Sequence, residues 1–438
     1  MLFTSTRDRS LSVKFSQAVL DCMPSDGGLF VPSSIEDLRR WIYYIDGDTS
    51  FTSIAGTLTS AFIKDEFSPI ICERIATSAF PFEPSVRQLD DNLFMLQLYH
   101  GYTGCQRDFG VSYLCSYLET TLEMSGQKAV VLDFTHGGLG SLLARVLHGK
   151  KNIKAVLLYE KGTVRGINDE DLSANGGNIC PLETELDEAG CRRIIGEVFA
   201  DREFVRRNGL TVANTSNVCR LMAQVFFFPY SFSRIKSLVS GDIYYALEAG
   251  NYGTVMAGLY SWRFALPLSG FFLPATDALS ADAAGNPVLL DSFVDIKKRN
   301  RSDPSLPANL ERLEAFFEKN SMMMRNFVFP NRISVAETDE AAKELFRKYG
   351  IFADRNTAGA YAVIKKNSGA VNDEDGSFVL VAHNHPALSA EYCRHTTGEM
   401  PEIPDNIKET MVPAVSGRPL VSTSGEIRSA VEEICGSR

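Results

Sequence analysis

The chain has 438 residues, of which 45% are apolar and 22% charged, and it carries a net charge of −10 at neutral pH. This is the composition of a soluble globular protein long enough for two or three domains sharing large cores. The acid excess argues against a nucleic-acid surface, which needs clustered Lys and Arg to displace counterions, and no run approaches the ~20 apolar residues of a membrane span.

The amino-terminal part predicts helices over "LSVKFSQAVLDCM" from Leu11 and "FTSIAGTLTSAFI" from Phe51. Between them "PSDGGLFVP", from Pro24, predicts a turn and a short extended segment. From Lys128 the chain alternates. "KAVVLDFTHGG" is an apolar run closing in glycines, "SLLARVLHGK" has helical spacing, and "KAVLLYEKG" and "GGNICPLETE" are further strands. One amphipathic helix is expected from Asp187 to Asn208, and a buried helix across "LMAQVFFFPYSF" from Leu221. "DIYYALEAGNYG", "TVMAGLYSWRFAL" and "SGFFLPAT" repeat the strand, glycine turn, helix rhythm. "LSADAAGNPVLLDSF", from Leu279, reads as a surface excursion, Lys297-Lys298-Arg299 as a solvated turn, and "EDGSFVLVAHNHPALS", from Glu374, as a late strand and turn. Met400 to Arg438 reads as irregular. The rhythm predicts βαβ units and mostly parallel sheets covered on both faces, with ligands at the carboxyl ends of the strands. The expected division is residues 1–95, 96–220 and 221–438.

Nine cysteines occur without a CxxC pair, so neither a disulfide framework nor a zinc ribbon is expected. With no basic region leading into an apolar core at the amino end, the expected location is a reducing cytoplasm. His383 and His385 stand two apart with no third ligand at a suitable spacing, and read as turn histidines.

Three glycine loops carry the chemistry. "EAGNYGT", Glu248 to Thr254, lies between a strand and a helix, where glycines turn backbone N–H groups inward and the helix start adds partial positive charge. "THGGLGS", Thr135 to Ser141, is built alike, and "HGYTGCQRDFG", His100 to Gly110, precedes another helical pattern. Together they suggest a pocket for a small anionic molecule.

The order of these pieces resembles the threonine synthase family of fold-type II pyridoxal-phosphate (PLP) enzymes. "FTSTRDRSLSVKFSQAVL" resembles the family's opening, "PSDGGLFVP" its D-G-G-L-[YF]-V-P, and "TVANTSNVCRLMAQ" its A-N-S-x-N-x-x-R-x-x-x-Q, with Asn214, Ser216, Asn217, Arg220 and Gln224. Asn309–Arg312 resembles its N-L-E-R, "DRNTAGAYAVI" its D-P-H-T-A-x-G, and "LVAHNHPA" its T-A-H-P. The resemblance implies two open, mostly parallel sheets flanked by helices, with an amino-terminal threonine-synthase-type domain. It also implies roles. The loop from His100 resembles H-G-P-T-x-x-F-K-D-F, whose lysine forms the Schiff base with PLP; here that position is Arg107, with His100, Gly101, Thr103, Asp108 and Phe109 matching around it. Gly250, Asn251, Tyr252, Gly253 and Thr254 would hold the cofactor phosphate, and Thr357 would face the pyridine nitrogen. Thr135, His136, Gly137, Gly138 and Ser141 would handle substrate, with His136, Gly138 and Leu139 departing from T-S-G-D-T-G-S; Asn214, Asn217 and Arg220 are grouped with them.

Arg107 decides what chemistry is expected. An imine needs a free amine lone pair, and a guanidinium of pKa ~13 is neutral at pH 7 only on the order of one molecule in a million. The expectation is a protein without the PLP lysine that keeps an anion cleft for a phosphorylated or carboxylated metabolite, or for PLP held without a covalent bond, with Arg107 as a planar clamp. His136, in place of a small serine, is expected to block the substrate space or simply to pack, with a new ligand contact as the alternative. The alternatives are a working enzyme converting O-phosphohomoserine to threonine and phosphate, altered chemistry using another lysine or none (Lys161 resembles a basic family segment, but its family position is out of reach of the cofactor), and a scaffold with a filled cleft.

Overall fold

The computed structural model describes residues 1–63, 65–289, 294–318, 320–373, 375–414 and 420–436. Strand β1 (Leu2–Ser5) pairs antiparallel with β2 (Val13–Lys14) and β3 (Phe30–Pro32). The helices Phe51–Ile63 and Pro69–Ala79 follow and cross closely at Gly56, where a Cβ would stand 3.2 Å from the Glu73 Cα. Phe51 meets Phe80, Phe109, Phe226, Phe227 and Tyr230 at ring distances of 5.0–6.4 Å, so the amino-terminal unit shares its core with the rest of the chain.

Next come a hairpin, β4 (Ser85–Asp90) and β5 (Leu93–Gln97), and then β6 (Ala129–Thr135), β7 (Ile153–Glu160), β8 (Ile179–Thr184) and β9 (Leu210–Thr211). The last four form an all-parallel sheet in the order β8-β7-β6-β9. Strands β10 (Ile243–Ala246), β11 (Gly270–Pro274), β12 (Leu279–Ala281), β13 (Pro287–Leu289), β14 (Val328–Asn331) and β15 (Ser377–Ala382) follow. The larger sheet runs β14-β11-β10-β15-β5-β4, parallel except for β4 at its edge. Near-continuous apolar runs such as Phe378–Ala382, buried throughout, are what a parallel strand covered on both faces requires. The expected α/β architecture with two open, mostly parallel sheets is therefore present.

The structure redraws several expectations. The boundary expected at residue 95 falls inside β5, which belongs to the larger sheet. The helix expected over 187–208 breaks at Asp201, whose carboxylate accepts from the Phe204 amide at 3.0 Å and starts a second helix, Arg202–Asn208. The apolar segment from Leu221 is buried and mostly helical as expected, but a 3₁₀ turn, Ala223–Phe226, divides it between the helices Val218–Met222 and Phe227–Ile235. The excursion from Leu279 is the β12–β13 hairpin; its end, 290–293, lies outside the described residues. Glu374, the start of the late strand segment, lies outside them too. The tail is not irregular: it holds the helices Asp405–Met411 and Ser424–Cys435, and the second, with Val421 just before it, packs on the four-stranded sheet β8-β7-β6-β9 through Ile427 and Val431 rather than on the larger one.

Candidate functional site

The loop from His100 is folded by Asp108. Its buried carboxylate accepts from the Thr103 amide at 2.7 Å, the Thr103 hydroxyl at 2.5 Å and the Cys105 amide at 3.4 Å. Burial pushes this carboxyl up from the usual range, while the Thr103 bonds and the charge of Arg107 oppose the shift. Gly101 is required because a Cβ there would stand 2.5 Å from the Asp108 Cβ. The loop is strapped to the carboxyl end of β15 by Gln106 N–H to His383 O at 2.7 Å and His385 N–H to Gly104 O at 2.8 Å. Arg107 then opens the helix Arg107–Ser125, half-buried, with its Nε buried and unpartnered. Its Nη2 lies 2.6 Å from where a Cβ of residue 138 would stand, so the guanidinium fills the room left by the missing side chain of Gly138.

The second loop is organised by Thr135, whose buried Oγ1 accepts from the Gly137 amide at 3.0 Å and the Gly140 amide at 3.2 Å. Gly137, at φ +113°, starts the helix Gly138–Leu147, and Ser141 is buried with its hydroxyl on Gly137 O at 3.2 Å. The open amides here are those of Gly138 and Leu139, which have no acceptor among the described residues. His136 does not block the space between the loops; it packs at the surface. Its ring is exposed, edge-on to Phe134 at 4.7 Å, with Nε2 3.2 Å from Glu188 Oε2. The reason is the turn: Thr135 points inward to hold the amides, so the next side chain points out.

The third loop is more rigid than its glycines suggest. Tyr252 takes the left-handed conformation, φ +61°, with its buried ring anchored by a hydroxyl bond to Thr276. Asn251 Oδ1 accepts from the Gly253 amide at 3.0 Å, so that amide, expected to face a ligand, is already used. Those of Gly250, Asn251, Thr254 and Val255 have no acceptor among the described residues, the last two at the start of the helix Gly253–Arg263. Asn309 braces the loop through its own amide to Asn251 O at 3.1 Å. Arg312, fully buried, places its guanidinium on Phe30 O, Thr215 O, Ser216 O and Asn309 Oδ1 at 2.5–3.0 Å. Desolvation pushes Arg312 down to about 10, still charged at neutral pH.

Other site residues expected from the sequence are braces. Asn214 donates to Pro304 O at 2.9 Å and to Asp133 at 3.4 Å, and Asn217 donates to Val19 O at 3.0 Å and Thr211 Oγ1 at 2.8 Å. Thr357 is buried in the first turn of the helix Arg355–Asn372, its amide on Asp354 Oδ1 at 2.8 Å, while Asp354 Oδ2 holds Asn384 at 3.0 Å. Arg220 is different: 5% exposed, it leaves Nε and Nη1 unpartnered and lies against Gly110, one turn along from Arg107. Burial pushes it down to about 10, with the neighbouring charge of Arg107 acting in the same direction. Lys161 is exposed and paired with Glu185 at 2.9 Å. His385 caps a 3₁₀ turn through Ala387 N–H at 3.2 Å, whereas His383 is buried beside Thr254 and Glu248. Glu248 and Thr254 belong to one loop, but His383 lies 129 residues beyond Thr254, so their juxtaposition is not legible in the sequence.

The amino-terminal part, residues 2–80, matches the family model described as threonine synthase N terminus. The whole chain is similar to the threonine synthase of Haemophilus influenzae, 27% identical over 408 residues covering 92% of this chain and 93% of that one. Similarity to the Escherichia coli K12 threonine synthase is 26% identity over 420 residues, 93% of this chain and 94% of that one. Among solved structures, the PLP-bound threonine synthase of Brucella melitensis superposes with a TM-score of 0.81 at 20% identity, covering 99% of both chains. The threonine synthase of Escherichia coli does so with a TM-score of 0.77 at 22% identity, covering 99% of this chain and 100% of that one. The chain therefore has the threonine synthase fold.

Proposed function

We propose that this chain, threonine synthase-like in fold and along nearly its whole length, has lost imine chemistry and keeps its cleft for a small phosphorylated or carboxylated metabolite. The observation that supports this most directly is Arg107. It opens its helix where the family motif has the PLP lysine, and its guanidinium is seated over Gly138. The residues present fit a phosphate group, since Gly250, Asn251, Thr254 and Val255 offer open amides at a helix start. They do not fit a covalent anchor for PLP, because a guanidinium cannot supply the amine and Lys161 is paired on the surface. An open cleft is favoured over a scaffold by His136, which stands outside it. The nine cysteines, all free, suit the reducing cytoplasm proposed as its location.

Borohydride reduction of the purified protein with PLP, followed by mass spectrometry, should give no pyridoxyl adduct, and Arg107→Lys alone should not turn over O-phosphohomoserine. A stoichiometric adduct on any lysine would sink this reading. Inorganic phosphate should raise the melting temperature by a few degrees, since a site at about 100 times its Kd contributes about 2.7 kcal/mol. Gly253→Asp, which sets a carboxylate beside the open amides, should abolish the shift.

A further inference from the structure

At the carboxyl ends of β10 and β15 three side chains stand in line. Thr254 Oγ1 is 3.2 Å from His383 Nε2, and His383 Nδ1 is 3.5 Å from Glu248 Oε1. The histidine is 5% exposed, while Thr254 is half-buried in the first turn of its helix, beside the open amides of Thr254 and Val255. The order hydroxyl, imidazole, carboxylate is that of an activated nucleophile, its base, and the group that orients the base. We propose that Thr254, His383 and Glu248 form a proton relay that hydrolyses a phosphate monoester bound at the anion loop.

The inference rests on the anion reading of the same cleft and names its substrate class. A phosphoryl group on the Thr254 and Val255 amides lies beside Thr254 Oγ1, and the amides stabilise its charge. Oγ1 attacks phosphorus as its proton passes to His383 Nε2. The Oγ1–P bond forms, the bond from phosphorus to the ester oxygen breaks, and His383 gives the proton to that oxygen, releasing the alcohol. Water then attacks the phosphothreonine: its proton goes to His383, the Oγ1–P bond breaks, and the proton returns to Oγ1. The sum is ester plus water giving alcohol plus inorganic phosphate. Glu248 steadies the imidazolium. Burial raises its carboxyl and Asp354 reinforces the shift, while His383 and the Asn356 side chain hold it down. Gln224 Oε1 also accepts the Thr254 hydroxyl at 3.0 Å, so the hydroxyl turns from Gln224 to His383 as the relay engages.

The test uses the full chain with p-nitrophenyl phosphate. Wild type should release p-nitrophenol catalytically, and acid quench with mass spectrometry should find phosphate on Thr254. His383→Asn and Thr254→Val should each lower kcat about 100-fold or more, with Thr254→Ser retaining turnover. Glu248→Gln should lower kcat with KM little changed. Turnover in wild type no faster than in His383→Asn and Thr254→Val, with the phosphate thermal shift intact, overturns the relay and leaves the anion site standing. Loss of the shift as well overturns both. If the variants fail to fold, the phosphothreonine in wild type decides alone: its absence overturns the relay.

Discussion

Arg107 and Gly138 behave as a matched pair. A Cβ at position 138 would approach the Arg107 Nη2 to 2.6 Å, a contact the long side chain can relieve only by leaving its seat. Gly138→Ala should therefore cost about 1 kcal/mol in the wild type and markedly less in an Arg107→Ala background, a coupling that a double-mutant cycle by urea denaturation measures directly. Arg312 should be far less tolerant. Arg312→Met leaves Phe30 O, Thr215 O, Ser216 O and Asn309 Oδ1 without this donor, and should cost about 3 kcal/mol or more and loosen the 250–254 loop. Asp133 sets a pH dependence. Burial pushes its carboxyl up to about 7, against bonds from the Ala213 and Phe134 amides. An acid that holds its proton more tightly when folded adds stability fully below its unfolded pKa of ~4, and that contribution is lost as pH rises through 7. Asp133→Asn should flatten the fall in urea midpoint between pH 5 and pH 8. Loop backbones were legible in part at this scale: Gly137, at φ +113°, follows from turn geometry, while Gly101 is needed for its approach to Asp108. The roles of Asn214, Asn217 and His136 were not, since Pro304, Val19 and Glu188 lie far along the chain.

At the scale of elements, strands were read well where an apolar run closed in glycine, and helix ends less well. Asp201 interrupts an amphipathic pattern that continues on both sides of it, so periodicity alone runs through the break. The tail helix did have a local signal. Thr423 and Glu426 form a capping box, with Thr423 Oγ1 taking the Glu426 amide at 3.3 Å and Glu426 taking the Thr423 amide at 3.0 Å. That signal stands among polar residues, without the apolar run that marks the other helices. The helix covers one face of the four-stranded sheet, and Ile427, Val431 and the preceding Val421 are buried beside Leu182. Ending the chain at residue 414 should remove about 5 kcal/mol of apolar burial, at ~1.5–3 kcal/mol per side chain. It should be seen as a lower melting temperature with increased binding of a hydrophobic dye; an unchanged melting temperature would mean that the helix only rests on the surface.

On the scale of the whole molecule, the cleft is assembled from distant stretches of sequence. The first loop hangs from β5 and is strapped to β15, and the third follows β10 and is braced by Asn309 and Arg312. Fold class was legible because each βα unit is local; the Glu248, His383 and Thr254 cluster was not, because it exists only after β10 and β15 pair. The same placement of β5 bears on how the protein is made. Its apolar face, Leu93 to Leu96, emerges from the ribosome with only the β4 hairpin for a partner, and its other neighbour, Ser377–Ala382, is translated near the end of the message. At about 5–20 residues per second that strand edge waits for tens of seconds. Chains ending before residue 377 should therefore bind chaperones and aggregate on release from the ribosome, whereas the released full-length chain should not.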